Sequence, residues 1–274
     1  MRVDVRLAFS SKNPSLARWI PGFAWAWLER FIHQRELNEI LEHGKSMTGL
    51  EFAQFSLDYL SAKLEVQGLE NLPESGPAIV AANHPLGGLD GLALVAAIGQ
   101  KRPDCKIIVN DLLMAVKPME KHFIGVNKFG SSARAHLKML DQEYQSPGIL
   151  ALFPSGMVSR PMGDRIEDQA WTKAFISKAQ QYQQSVIPCY IHGFNSPRFY
   201  RIARWRKRFG IKANLEMFTL PDEMTKQAGK TIRVQFGAPI AYTQFHSEKN
   251  TLEWAAQVRD YVYTLQDGAQ PPFP

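Results

Sequence analysis

Residues 78–82 form the apolar run Ala78-Ile79-Val80-Ala81-Ala82, with no polar position on either alternate face. A strand with one wet face alternates apolar and polar residues. An unbroken run bounded by turn signals therefore predicts a strand buried on both sides, as in a parallel sheet covered by helices. Pro73, Gly76 and Pro77 mark the entry into this strand, expected over 77–82. Further strands are expected at 105–110, 148–153, 185–191, 213–219 and 231–236, with helical stretches at 49–62, 90–98, 131–144 and 168–183. Strands alternating with helices of these lengths predict an α/β fold with a central, largely parallel sheet flanked by helices.

The 274 residues suffice for one sizeable core, and 45% hydrophobic against 21% charged positions argues against disorder. Three parts are expected: an N-terminal helical, membrane-interfacial segment at 1–48, a main domain at 49–245, and a C-terminal helix and tail at 246–274. In the first part Trp19, Ile20, Phe23, Trp25, Trp27, Leu28, Phe31 and Ile32 crowd one helical stretch, spanning 14–43. Tryptophans so close together suit a helix lying at headgroup level, although the same rings can cap a core. No uncharged apolar run reaches the ~18–20 residues of a spanning helix. The start, Met1-Arg2-Val3-Asp4-Val5-Arg6, lacks the pattern of a secretory signal, so the expected place is the cytoplasmic face of a membrane, peripheral or monotopic. Cys105 and Cys189 both sit in apolar runs and read as buried thiols, with a disulfide left open.

The apolar run 78–82 ends in Asn83-His84-Pro85-Leu86-Gly87-Gly88-Leu89-Asp90. A histidine and an aspartate thus fall at the carboxyl end of a buried strand, where open α/β sheets place their chemistry. A carboxylate fixes an imidazole's tautomer and stabilises its protonated form, so the ring can take a proton from a hydroxyl near neutral pH. A satisfied buried histidine is the plain alternative. Ser155 is set aside as a nucleophile, because no glycine stands two residues before it as a nucleophile elbow requires.

Four blocks in order resemble the lysophospholipid/glycerolipid acyltransferase superfamily, and among its branches the hemolysin-like, amino-acid-lipid one. The first is Asn83-His84 with Asp90-Gly91, five residues separating His84 from Asp90 where the family's signature has four; Gly87-Gly88 offers room for the extra one. The second is Phe123-Ile124-Gly125-Val126-Asn127-Lys128, with a lysine where many members have arginine. The third is Phe153-Pro154-Ser155-Gly156-Met157-Val158-Ser159-Arg160, where serine replaces the family's glutamate and the arginine sits two places later. The fourth is Val186-Ile187-Pro188-Cys189-Tyr190-Ile191, a strand with an internal proline. Together with Phe236-Gly237-Ala238-Pro239-Ile240, the resemblance spans roughly residues 50–242.

The resemblance implies transfer of a fatty acyl group from acyl-CoA or acyl carrier protein to a lysolipid hydroxyl, with no metal or other cofactor. His84 and Asp90 would be catalytic. Asn83, Gly87, Gly88, Lys128, Ser155, Gly156 and Arg160 would line the substrate site, and Pro188 would be a structural mark of the family. Backbone N–H groups near Gly87-Gly88 or Ser155-Gly156 are candidate oxyanion donors, and Arg160 a candidate anion site. The missing glutamate speaks against plain glycerol 3-phosphate as acceptor. It leaves lysophosphatidic acid or, better, an N-acylated amino-acid lipid. A second reading, a lipid-binding or scaffold protein that has lost catalysis, draws on the wider His84–Asp90 spacing.

The net charge of +6 favours an anionic partner. Residues 198–212 interleave seven cationic groups with Phe199, Tyr200, Trp205 and Phe209. Such a stretch can stack on single-stranded nucleic acid or lie on anionic lipid. With no nucleic-acid module around it, the expected partners are an anionic membrane surface, a lysolipid acceptor and an acyl thioester donor.

Overall fold

The computed structural model describes residues 3–12, 14–126, 133–268 and 271–274. Strand β2 (Ala78–Ala82) is the fourth of seven strands in a sheet ordered β1 (Lys63–Gln67), β9 (Thr231–Phe236), β8 (Ser185–Ile191), β2, β5 (Ile149–Leu152), β3 (Lys106–Asn110) and β4 (Phe123–Val126). Every neighbouring pair is parallel except β8 with β9. A two-stranded antiparallel hairpin of β6 (Arg160–Met162) and β7 (Arg165–Glu167) stands apart from the sheet.

All five β2 residues are buried, which is what the unbroken apolar run requires. Ala78, Val80 and Ala82 face one core with Phe52, Leu57, Leu94 and Ile98. Ile79 and Ala81 face the other, with Trp171, Phe175, Trp254 and Val258. Fully burying a side chain such as Ile79 or Val80 contributes about 1.5–3 kcal/mol, so helices must cover both faces. The helices in chain order are α1 (Val5–Lys12), α2 (Pro14–Ala17), α3 (Gly22–Phe31), α4 (Gln34–His43), α5 (Leu50–Tyr59), α6 (Gly88–Gly99), α7 (Ala133–Tyr144), α8 (Ala174–Tyr182), α9 (Pro197–Arg208), α10 (Leu220–Thr225) and α11 (Thr251–Thr264). Helices α5 and α6 cover the first face, α8 and α11 the second.

The expected strand at 213–219 is absent; Leu215–Thr219 is a 3₁₀ turn. Glu216, within this turn, is wholly buried and paired with Arg160 and Arg206 rather than facing solvent. The helix expected from 168 begins at Ala174, because Asp168 and Trp171 bond to each other in the preceding turn. Strands β1 and β4 and the β6–β7 hairpin were not foreseen. The single helical stretch expected at 14–43 is several helices, interrupted at Pro21 and again at His33, whose φ is 52°.

Pro188 lies inside β8 where the antiparallel pairing slips by one residue, between Cys189 opposite Phe236 and Val186 opposite Ile240. A proline has no N–H for the ladder, and such an irregularity is where a buried strand tolerates one. Cys105 and Cys189 are buried free thiols. Burial pushes the Cys105 thiol up to about 12, which makes it inert.

Among the described residues no helix is long and apolar enough to cross a membrane. In α3, Trp25 is buried, while Phe23 and Trp27, with Trp19 just ahead of the helix, are exposed. This segment is fastened to the main body: His33 meets Asp222 at 3.1 Å, and the Arg198 guanidinium lies 4.9 Å from the centre of the Phe31 ring.

Candidate active site

Because β5, β2 and β8 run parallel, their carboxyl ends share one edge of the sheet. Asn83 follows β2 directly, and its side-chain amide continues the pairing with β8. Its Nδ2 donates to the Ile191 carbonyl at 3.0 Å and its Oδ1 accepts the Ile191 N–H at 2.6 Å. The side chain thereby takes the place of a main-chain ladder, and the backbone turns out of the sheet into His84. Asn83 is an anchor of the turn, and both ends of its amide are engaged.

The five-residue gap between His84 and Asp90 does not separate them. Gly87, at φ +83°, takes a conformation that an L side chain rarely adopts, and α6 starts at Gly88. A Cβ at Gly87 would lie 2.9 Å from Leu220 Cδ1, so α10 closes over the turn. Asp90, in the first turn of α6, then presents Oδ2 to three donors: His84 Nδ1 at 2.9 Å, Leu86 N–H at 2.8 Å and Gly87 N–H at 3.0 Å. With Oδ2 an acceptor throughout, Nδ1 carries the proton and Nε2 keeps its lone pair. No hydrogen bond to a described residue occupies Nε2. The His84 side chain keeps 17% exposure while the Asp90 side chain has none. Burial pushes the Asp90 carboxyl up, opposed by the bonds from His84, Leu86 and Gly87. The spacing that had favoured a non-catalytic chain is therefore absorbed by the glycine turn.

The third block supplies a wall rather than a charge. Phe153 stacks on the His84 ring with centroids 4.0 Å apart and planes 14° from parallel. Ser155 turns inward on its own loop, its hydroxyl donating to the Met157 carbonyl at 2.7 Å, and Gly156 supplies the positive φ of +62°. Arg160 departs from the expectation of an open anion site. It is buried, with Nε 3.0 Å from Glu216 Oε1, Nη1 2.6 Å from the Val158 carbonyl, and its guanidinium carbon 4.7 Å from the centre of the Phe199 ring. Its counter-ion is 56 residues away in sequence and could not be read from the block. Lys128 lies outside the described residues.

Two of the expected oxyanion donors are engaged: Gly87 N–H with Asp90, and Gly156 N–H with the Phe153 carbonyl at 2.9 Å. Gly88 N–H stands in the first turn of α6, where a helix offers its amides no internal acceptor. Gly88 is exposed. An exposed amide at a helix start can stabilise a developing negative charge.

Sequence reasoning missed the groups that hold the loop. Asn195 donates from Nδ2 to the Pro85 carbonyl at 2.9 Å, and its backbone N–H donates to the Tyr200 hydroxyl. Asp168 and Ser159 bind the His84 main chain on the other side. An aspartate three residues before Trp171 suits a turn better than a helix interior, and this was the one local signal for it.

Arg198 and Arg206 of α9 are paired with Asp222 and Glu216. Arg201, Arg204, Lys207 and Arg208 are exposed and meet no carboxylate among the described residues. Trp205, Phe209 and Phe218 are exposed beside them.

A family model described as "Acyltransferase" matches residues 7–270. Lyso-glycine lipid O-acyltransferase of Bacteroides thetaiotaomicron is 38% identical over 264 residues, covering 96% of this chain and 97% of that one. The protein of the same name from Phocaeicola vulgatus is 37% identical over 264 residues, covering 96% and 95%. Among solved structures, the 1-acyl-sn-glycerophosphate (LPA) acyltransferase PlsC from Thermotoga maritima is similar with a TM-score of 0.49 and 14% identity, covering 88% of this chain and 97% of that one.

Proposed function

The chain belongs to the acyltransferase family and is an acyltransferase, and from that premise we propose that it esterifies a hydroxyl of a lysolipid with a fatty acyl group drawn from an acyl thioester. The observation that carries this reading is the His84–Asp90 contact at 2.9 Å, with no described residue bonding Nε2 at the edge of the sheet. His84 Nε2 takes the proton of the acceptor hydroxyl as its oxygen attacks the thioester carbonyl. Asp90 holds the ring by Nδ1–H and stabilises the imidazolium that forms. The Gly88 N–H faces the oxyanion. Collapse of the tetrahedral species breaks the carbon–sulfur bond, and the imidazolium returns its proton to the departing thiolate. No covalent enzyme intermediate is needed.

The acceptor we favour is an amino-acid lipid, a lyso-glycine lipid in the terms of the two bacterial relatives' names. The engagement of Arg160 with Glu216 supports it over a phosphate-bearing acceptor, because that guanidinium has its anion already. The donor is acyl-CoA or acyl carrier protein. The working place is the cytoplasmic face of an anionic membrane. The exposed Trp19, Phe23 and Trp27, and the exposed Arg201, Arg204, Lys207 and Arg208 with Trp205, support this, since each cation near such a surface contributes about 1 kcal/mol.

The test is an assay of purified protein with labelled acyl-CoA and acyl carrier protein thioesters against a panel of lysolipids. An ester of lyso-glycine lipid is expected, and its formation should vanish in His84→Ala. Full activity in that variant would make the mechanism wrong.

A further inference from the structure

Against the main chain of His84 lies a second wholly buried carboxylate, Asp168. Its Oδ1 accepts the Ser159 hydroxyl at 2.6 Å and the His84 backbone N–H at 3.2 Å, and its Oδ2 accepts the Trp171 indole N–H at 3.0 Å. Ser159 also donates its own backbone N–H to the His84 carbonyl at 2.7 Å. The peptide groups on both sides of the His84 Cα are thus tied to one pair of residues. That pair sits at the open end of the β6–β7 hairpin. Ser159 precedes Arg160 and Asp168 follows Glu167, which are partners in the hairpin register.

The pair is itself braced from behind. The Tyr263 hydroxyl of α11 accepts the Asp168 N–H at 2.6 Å, and Arg259 of the same helix reaches the Asp168 carbonyl at 2.6 Å and the Glu167 carboxylate at 2.9 Å. No ammonium or guanidinium of a described residue bonds the Asp168 carboxylate oxygens themselves; their donors are neutral. A buried carboxylate held by neutral donors alone is expensive to keep, and an amide could satisfy only one of its two oxygen positions.

His84 needs such support. It has left the β2 ladder, and it precedes Pro85, which restricts it to extended backbone and offers no N–H of its own. We infer that Asp168 is the positioning residue of His84. Through the hairpin it fixes the main chain so that the ring, between Phe153 and Asp90, presents Nε2 to the acceptor hydroxyl. The inference rests on the reading of His84 as the base. A reacting group displaced by 1 Å can lose on the order of 100-fold in rate, which sets the scale of the effect.

The experiment uses the full chain with Asp168→Asn, Ser159→Ala and His84→Ala, a labelled long-chain acyl thioester and lyso-glycine lipid. For Asp168→Asn kcat should fall about 100-fold, and for Ser159→Ala about tenfold, as misplacement of the base predicts. KM for both substrates should stay within about twofold. Nitrogen-15 spectra of the His84 ring should pass from one Nδ1–H tautomer in the parent to a mixture in both variants. Ser159→Ala, which removes only a hydroxyl, carries the test should Asp168→Asn fail to fold. A folded Ser159→Ala or Asp168→Asn protein with the parent's kcat and tautomer overturns the inference, as does a loss confined to KM. Full activity of His84→Ala overturns instead the reading on which it rests.

Discussion

Replacing Asp90 by asparagine preserves the shape of the site and removes one charge. In the parent, Oδ2 meets the His84 ring at 2.9 Å with neither Asp90 oxygen open to solvent. When the ring accepts the acceptor's proton, an imidazolium forms with its charge centre about 4 Å from the carboxylate; at an effective dielectric constant of about 20 that attraction is about 4 kcal/mol. At 1.36 kcal/mol per decade, its loss predicts a fall in kcat of about 10³. Stability should move the other way. Burial raises the Asp90 carboxyl above its unfolded value. Its favourable contribution is therefore complete below the ordinary carboxylate range and is lost as pH rises through the raised folded value. Above that folded value the ionised side chain is a burden that an asparagine lacks. Initial rates on the acyl thioester and thermal unfolding at pH 7 test both halves: kcat down about 10³, Tm unchanged or higher. A folded variant within tenfold of parental kcat would refute the electrostatic argument, and a Tm falling in step with activity would reassign Asp90 to the fold.

Glu216→Gln leaves two guanidiniums, Arg160 and Arg206, without their shared anion in a buried place; breaking such a group costs about 3–5 kcal/mol, to be read from the denaturant midpoint. Gly87→Ala forces a side chain onto φ +83° and against Leu220. It should cost about 1–3 kcal/mol in unfolding free energy, and lower kcat because the Gly87 N–H aims Asp90. Burial and the nearby Arg233 charge lower the His192 imidazole below its ordinary value of about 6.5. The stability this group confers is therefore present above that value and lost as pH falls below it. His192→Gln should flatten the drop in Tm between pH 7 and pH 5.

The sheet was legible where burial on both faces writes itself into composition. The runs at 78–82, 148–153 and 185–191 are apolar because no position of β2, β5 or most of β8 meets water. It was illegible where a residue's environment comes from a distant element. Residues 213–219 were expected as a strand, yet Glu216 within them neutralises Arg160 and Arg206. Arg160 was expected as an open anion site because its counter-ion is out of local reach in sequence. His84 and Asp90 could be paired from sequence because they flank one turn. Asp168 could not, since the peptide it grips is 84 residues earlier. Phe153 was visible as a motif letter, but its place against the imidazole follows from β5 lying beside β2, a fact of topology.

The side-chain amide of Asn83 lets the sheet end without a frayed edge, so the following turn starts from a fixed point. His84 is gripped by the hairpin and Asp90 stands in the first turn of α6, two fixed posts, and the turn between them is itself held by Asp90 and Asn195. A count of residues from histidine to aspartate therefore says less about the chemistry than whether strand, hairpin and helix hold the two posts.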